Sequence, residues 1–65
     1  MNELMLVITS EDWIYFPTRC IEADSAFAEF LRTCESVGIN MDNVYFESYV
    51  LRDSEGNDID RRTML

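Results

Sequence analysis

Histidine and lysine are both absent from this sequence, and with them the commonest general base and the amine nucleophiles of enzymes. The remaining nucleophiles are Cys20, Cys34 and the serines, and carboxylates alone do not activate them as a histidine would. A chain of 65 residues also leaves little room for a substrate pocket of about 300 Å³ or more. We therefore expect a protein without enzymatic activity.

Metal ligands in a familiar spacing are also lacking. Cys20 and Cys34, without any histidine, cannot supply the roughly four ligands of a zinc site. The acidic segment 53–60 differs from a calcium-binding EF-hand loop, because Gly56 is fourth from Asp53 instead of sixth and the twelfth residue is Met64 instead of glutamate. We expect an acidic hairpin turn there, two reduced thiols, and no metal or cofactor.

Glycine and proline are scarce, and no repeat, low-complexity tract or linker is present. Because so short a chain cannot supply two hydrophobic cores, we expect one domain over residues 1–65. The first eight residues carry no positive charge, and their apolar stretch is too short for a signal peptide or a membrane span. A cytoplasmic protein that does not contact membranes is therefore expected.

Short apolar or alternating runs predict β-strands at 4–9, 13–21 and 44–53, with 58–62 as a short fourth strand or a frayed end. Pro17 has no backbone N–H for a strand ladder, so the second strand should lie at the sheet edge or carry a bulge there. The polar segment 54–57 predicts the hairpin turn between the last two strands.

Between the second and third strands the period changes to that of a helix. Asp24 or Ser25 can cap its first turn, and Gly38 can adopt the left-handed conformation just past its end. The apolar stripe of this helix is formed by Phe27, Phe30, Leu31, Cys34 and Val37. The chain is thus predicted to be an α+β domain of order ββαβ or ββαββ, with one helix packed on one face of an antiparallel sheet of three to four strands.

The alternation of the predicted strands separates two faces of the sheet. The face covered by the helix is predicted to hold Leu6, Ile8, Ile14, Phe16, Val44, Phe46 and Val50. The opposite face is predicted to hold Trp13, Tyr15, Tyr45, Glu47 and Tyr49. Aromatic side chains with a polar group are frequent in protein interfaces, so this opposite face is a candidate contact surface unless the C-terminal tail covers it.

Acidic residues far outnumber basic ones, with thirteen aspartates and glutamates against five arginines and a formal net charge of −8. Such a charge keeps a protein soluble and also suits a basic partner, and the composition leaves both explanations open. Nucleic acids and anionic membranes require a positive patch. The arginines are scattered apart from Arg61 and Arg62, so direct binding to either is not expected.

The acidic residues fall in predicted turns, at the helix entrance and in the hairpin, where solvent reaches them. Two residues apart on a strand, Asp58 and Asp60 would lie about 6.6 Å from each other on one side. A nucleic-acid backbone carries one charge per roughly 3.4 Å of axis on each strand. Carboxylates on a firm scaffold can therefore imitate that backbone and enter a groove lined with arginine and lysine.

In size, charge and order of elements, the whole chain resembles small acidic phage-encoded inhibitors of bacterial defence, in particular anti-CRISPR proteins of the DNA-mimic type. These inhibitors share no common motif, so the resemblance assigns no role to single residues, and Arg19, Arg32 and Arg52 would interrupt a continuous anionic stripe. The resemblance implies a monomeric inhibitor in the cytoplasm of a bacterial host. It would bind a basic nucleic-acid-binding surface of a defence complex, first of all a type I Cascade or Cas effector subunit, and block DNA recognition.

Under this hypothesis, acids of the two hairpin turns and the last strand contact basic side chains, and three aromatic residues anchor the contact. The acids are Glu11, Asp12, Asp53, Glu55, Asp58 and Asp60, and the aromatic residues are Trp13, Tyr45 and Tyr49. A second hypothesis is a small cytosolic interaction or regulatory module whose charge serves solubility. Such a module could form a homodimer through a sheet edge or the aromatic face.

Overall fold

The computed structural model describes residues 3–63, which form one helix and one four-stranded antiparallel sheet. The elements follow the chain in the order ββαββ, which confirms the predicted α+β fold. Their bounds are β1 (Leu4–Thr9), β2 (Trp13–Thr18), α1 (Ala23–Ser36), β3 (Ser48–Arg52) and β4 (Asp58–Thr63).

Across the sheet the strand order is β2-β1-β3-β4, so β1 and β3 are central and β2 and β4 are the edges. Pro17 lies in β2 opposite Met5, and the predicted edge position of this strand is confirmed. β2 ends earlier than predicted, at Thr18, which pairs with the first residue of β1. The buried Thr18 hydroxyl donates to Glu29 Oε1 at 2.8 Å and accepts the Cys20 N–H at 3.1 Å, which turns the chain towards the helix.

The hydrophobic core lies between α1 and one face of the sheet. Its fully or nearly buried members are Leu6, Ile8, Ala23, Ala26, Phe30, Cys34, Tyr49 and Leu51. Phe30 meets the ring of Phe16 edge-on, with centroids 5.5 Å apart, and Phe27 stacks on Tyr49 at 4.4 Å. Each such ring pair contributes about 0.5–1.5 kcal/mol beyond the area that it buries.

The N-terminus of α1 is capped from a distant part of the chain. The predicted caps Asp24 and Ser25 lie inside the helix, and the N-cap residue Glu22 makes no side-chain capping bond. Instead, Asp60 Oδ2 of β4 accepts the Ala23 N–H at 2.8 Å. A carboxylate at this position satisfies a free helix N–H and faces the positive end of the helix dipole.

The C-terminus of α1 follows the prediction more closely. Gly38 has a φ of 83°, the left-handed conformation predicted for it. Ile39 donates its N–H to the Cys34 carbonyl at 2.9 Å, as in a Schellman motif. Val37 was assigned to the apolar stripe, but it lies past the last helical residue and is 66% exposed.

β3 begins at Ser48 and not at Val44, because its neighbour β1 ends there. Ser48 lies opposite Thr9, the last residue of β1, and the chain then turns away towards β2. The Glu47 N–H still reaches the Thr9 carbonyl at 2.8 Å, but residues 44–46 have no strand to pair with. Val44, Tyr45 and Glu47 therefore belong to the loop 37–47 instead of to either face of the sheet.

The faces predicted for β3 are reversed. Tyr49 lies opposite Ile8 on the face covered by the helix, whereas Val50 lies opposite Val7 on the other face. The assignment of Val50 to the core face and of Tyr49 to the open face is therefore wrong. Phe46 packs against the core from the loop, so the strict alternation that the pattern assumed breaks between it and Tyr49.

The two hairpin turns lie at opposite ends of the sheet. Residues 10–12 connect β1 to β2 at the end where β3 begins, and residues 53–57 connect β3 to β4 at the other end. β3 has five residues, which span about 17 Å. Acids in the two turns therefore cannot contact one small site on a partner.

Candidate partner-binding surfaces

Three of the nine predicted contact residues, Glu11, Asp12 and Tyr45, line one cavity. The β1–β2 turn that carries the two acids is held by the Ser10 hydroxyl, which donates to the Asp12 carbonyl at 3.0 Å. Both carboxylates are exposed, and neither forms an ion pair within residues 3–63. Tyr45 is 60% exposed. These side chains are available to a partner.

Most acids of the β3–β4 hairpin form hydrogen bonds with other groups of the same chain. Asp53 Oδ1 accepts the N–H groups of Glu55 and Asn57, both at 2.9 Å, and the bond from Asn57 is the main reason why the pKa of Asp53 is lowered. Asp58 accepts hydrogen bonds from Arg61 at 2.9 Å and Arg52 at 3.0 Å, and these lower its pKa in that order. These two acids hold the hairpin, whereas the Glu55 side chain makes no bond within the described residues.

Asp60 and Tyr49 belong to a network that joins β4 and β3 to the start of α1. We call it the Asp24 clamp, formed by Asp24, Tyr49, Asp60 and Arg62. The Tyr49 hydroxyl donates to Asp24 Oδ1 at 2.6 Å, and Arg62 donates to Asp24 Oδ2 at 3.3 Å and to Asp60 Oδ1 at 2.9 Å. Tyr49 is only 8% exposed, so its ring is part of the core instead of an anchor on the surface.

The clamp shifts the pKa values of Asp24 and Tyr49 in opposite directions. The hydrogen bond from Tyr49, and after it the bond from Arg62, lowers the pKa of Asp24. Burial, and after it the Asp24 carboxylate, raises the pKa of Tyr49 to about 12. The clamp therefore forms when Asp24 is charged and Tyr49 is neutral.

A groove of about 770 Å³ opens between the second half of α1 and the loop 37–47. This is more room than the length of the chain led us to expect. The floor of the groove is apolar, and Glu35 and Asp42 stand on its rim. The apolar side chains are Phe27, Leu31, Met41, Val44 and Phe46.

The groove adjoins the cavity of the β1–β2 turn, which has a volume of about 330 Å³ and shares Met41 and Val44 with it. We use the name loop surface for the residues that line the groove and this cavity. Its four carboxylates are Glu11, Asp12, Glu35 and Asp42, all exposed and outside the ion pairs of residues 3–63. No arginine lines either cavity. The loop surface is therefore an anionic rim around an apolar floor.

The sequence interpretation missed Glu35 and Asp42 as members of a shared surface. Residues 44–47 were predicted as part of a strand, so the segment after the helix was not expected to form a surface with the acids around it. The apolar residues Ile39, Met41 and Val44 within that acidic loop were the available signal. Ile39 and Val44 are indeed 52% and 36% exposed.

The sheet face away from α1 is a second candidate surface, which we call the open sheet face. β4 lies beside β3 at the sheet edge, so within residues 3–63 the C-terminal strand does not cover this face. Trp13 and Tyr15 on β2 are 62% and 60% exposed. According to the strand register, the residues whose side chains lie on the open sheet face are Met5, Val7, Thr9, Trp13, Tyr15, Pro17, Ser48, Val50, Arg52, Asp58, Arg61 and Thr63.

Neither surface offers an evident metal site, since residues 3–63 contain no group of three or more cysteine and acidic side chains arranged to hold an ion. In the same range, no helix is long and apolar enough to cross a membrane. A scan against models of protein families and searches of curated proteins and of solved structures found nothing that matches this chain.

Proposed function

We propose that this protein binds a basic surface of another protein through the loop surface. The resemblance to DNA-mimic inhibitors implies that this basic surface binds nucleic acid and belongs to a bacterial defence complex, with a type I Cascade effector as the leading candidate. By occupying that surface, the protein blocks DNA recognition. The observation that carries the proposal is the loop surface itself, where four exposed carboxylates surround an apolar floor without an arginine.

The charge balance within the fold supports this proposal. Three of the thirteen acids, Asp24, Asp58 and Asp60, form ion pairs with arginine, and these pairs engage Arg52, Arg61 and Arg62. The other ten acids have only Arg19 and Arg32 as uncommitted positive charges in the described residues. Because the ion pairs fall on β3, β4 and the helix start, the loop surface keeps its full negative charge.

The apolar floor of the loop surface indicates a second property of the partner, besides its positive charge. A surface made only of carboxylates would depend on charge alone, whereas this one can also bury an apolar or aromatic side chain. The proposed target is therefore a lysine- and arginine-rich surface that presents at least one such side chain. Nucleic-acid-binding grooves often combine basic residues with aromatic residues that stack on bases.

A competition assay tests the proposal. Purified type I Cascade complexes are titrated onto a fluorescently labelled target duplex, and the protein is then added while the fluorescence anisotropy of the duplex is measured. We expect the duplex to be displaced, and we expect the displacement to weaken steeply as salt rises from about 0.05 to 0.5 M. A ternary complex of effector, duplex and protein would contradict the proposed mode of inhibition.

Two charge-matched variants locate the binding surface. The loop variant combines Glu11→Gln, Asp12→Asn and Asp42→Asn. The control variant combines Glu3→Gln, Glu22→Gln and Glu55→Gln, three acids that line neither cavity and whose side chains make no bond within the described residues. Glu55 is a contact under the sequence hypothesis but lies outside the loop surface, so this control also separates the two. Both variants carry a net charge of −5 instead of −8, so their total charge is matched and its location differs.

A further inference from the structure

The open sheet face is distinguished from the rest of the protein by its charge. It carries Arg52, Arg61 and one acid, Asp58, and this acid is bound to both arginines. The face therefore has a net charge of +1. The rest of the chain has a net charge of −9, and the two add up to the total of −8. Two copies of the chain can approach through this face without placing unpaired carboxylates against each other.

Its composition is that of a contact surface. On this face Trp13 and Tyr15 of β2 and Met5 of β1 expose 62%, 60% and 36% of their surface. Tryptophan, tyrosine and arginine are the residue types most enriched among those that dominate the energy of protein interfaces. Val7 and Val50, in the two central strands, are only 2% and 4% exposed, although no helix or strand formed by residues 3–63 lies over them. The exposed side chains of this face are therefore those around the two valines.

The strand register makes this face complementary to itself. One row across the sheet reads Tyr15, Val7, Val50, Arg61, with the aromatic ring at one end and the guanidinium at the other. Two copies can pack face to face about a two-fold axis that runs nearly parallel to the strands. The row of one copy then lies on the same row of the other copy in reverse order. Tyr15 of one copy then covers Arg61 of the other, and the symmetry repeats this contact a second time.

We propose that the open sheet face binds a second copy of this chain to form a two-fold symmetric dimer. The two sheets pack face to face about 10 Å apart, and each Arg61 guanidinium lies over the Tyr15 ring of the other copy. The dimer replaces the monomer that the sequence led us to expect. It leaves both loop surfaces accessible, because no residue that lines either cavity belongs to the open sheet face.

Sedimentation equilibrium from about 5 to about 500 µM tests the dimer. We expect the mass to rise with concentration towards twice 7.6 kDa. Higher salt should tighten this association, because it screens the repulsion between two copies of charge −8. Binding through the loop surface should instead weaken with salt, so failure of one proposal is distinguishable from failure of the other.

Two pairs of variants locate the interface. Tyr15→Ala and Arg61→Ala should each raise the dimer dissociation constant at least about tenfold, and the double variant should raise it by less than the product of the two effects. The matched controls are Tyr45→Ala, which removes a tyrosine of the same 60% exposure, and Arg32→Ala, which removes an exposed arginine of the helix. Both should dimerise like the parent chain.

Three results would overturn the proposal. The first is a monomer at all concentrations and salt conditions, which would leave the face to a different partner. The second is a dimer that Tyr15→Ala and Arg61→Ala do not weaken, which would place the contact elsewhere, such as at the free edge of β2. The third is an equal loss in the Tyr45→Ala control. Far-UV circular dichroism confirms for each variant that the fold is retained.

Discussion

The replacement Tyr49→Phe removes one hydroxyl from the Asp24 clamp and leaves the core otherwise intact. The ring stacks on Phe27 at a centroid distance of 4.4 Å and an interplanar angle of 3°, and phenylalanine preserves that contact. What is lost is the hydrogen bond of 2.6 Å to the Asp24 carboxylate. The experiment therefore isolates the clamp from the packing around it.

The magnitude follows from the type of bond. A hydrogen bond to a charged group contributes about 1.5–3 kcal/mol. Because the Asp24 side chain is 59% exposed, water can replace the donor in the variant, and the lower part of this range applies. We expect the free energy of unfolding to fall by about 1.5 kcal/mol, which lowers Tm by roughly 6–12 °C in a domain of this size.

Urea and thermal unfolding followed by far-UV circular dichroism measure this change. The exposed Trp13 is a poor fluorescent reporter of the core, so the backbone signal is preferable. Tyr45→Phe is the matched control, because that hydroxyl makes no hydrogen bond within the described residues, and its effect should stay below about 0.5 kcal/mol. If Tyr49→Phe were as stable as the parent chain, the clamp would have no energetic role.

The pH dependence of the same variant gives an independent check. The pKa of Tyr49 is raised to about 12, so the folded state holds the phenolic proton more tightly than the unfolded state, whose pKa is near 10. This stabilisation is complete below about pH 10 and is lost as the pH rises from about 10 to 12. The parent chain should therefore lose more stability than Tyr49→Phe between about pH 9 and 11.5.

One titration and two substitutions probe the hairpin and the core. In a carboxyl NMR titration, Asp53 and Asp58 should titrate below the ordinary value of 3.8, and their contribution to stability should be present above that value and disappear as the pH falls through their lowered pKa values. Gly56→Ala should cost about 1 kcal/mol in chemical unfolding, because Gly56 has a φ of 86° that alanine adopts with strain; an unchanged midpoint would show that the turn relaxes freely. Phe30→Ala should cost about 3–5 kcal/mol. Since Phe30 is 5% exposed and contacts rings from β2 and the loop 37–47, circular dichroism should show a largely unfolded chain, and a cooperative transition like that of the parent would contradict its place in the core.

Local patterns were sufficient to predict most of the fold. The spacing of Phe27, Phe30 and Cys34 predicted the helix because its burial follows the helical period, and Gly38 ended it because few other residues adopt a positive φ. Pro17 predicted an edge strand for an equally local reason, the missing N–H.

Contacts between distant residues explain what the sequence interpretation missed. The start of β3 depends on where β1 ends, and the helix cap depends on Asp60, which lies 37 residues from Ala23. Neither dependence is visible in a single segment. The reversed faces of Tyr49 and Val50 follow from the first of these, because a one-residue change of phase exchanges the two sides of a strand.

The candidate site was affected in the same way. An acid in a predicted turn is exposed in any fold, and Glu11, Asp12 and Glu55 are so exposed. Whether an acid is free for a partner depends on which arginine the fold places beside it. Asp58 and Asp60 are occupied by such neighbours, whereas the acids of the loop surface are not.

The most direct measurement is the ratio of the two inhibition constants in the duplex-displacement assay, that of the loop variant divided by that of the control variant. Because both variants have the same net charge of −5, a ratio above about ten would show that the position of the carboxylates matters, and this is the result we predict. A ratio near one would contradict it, since inhibition would then depend on total charge and not on the loop surface.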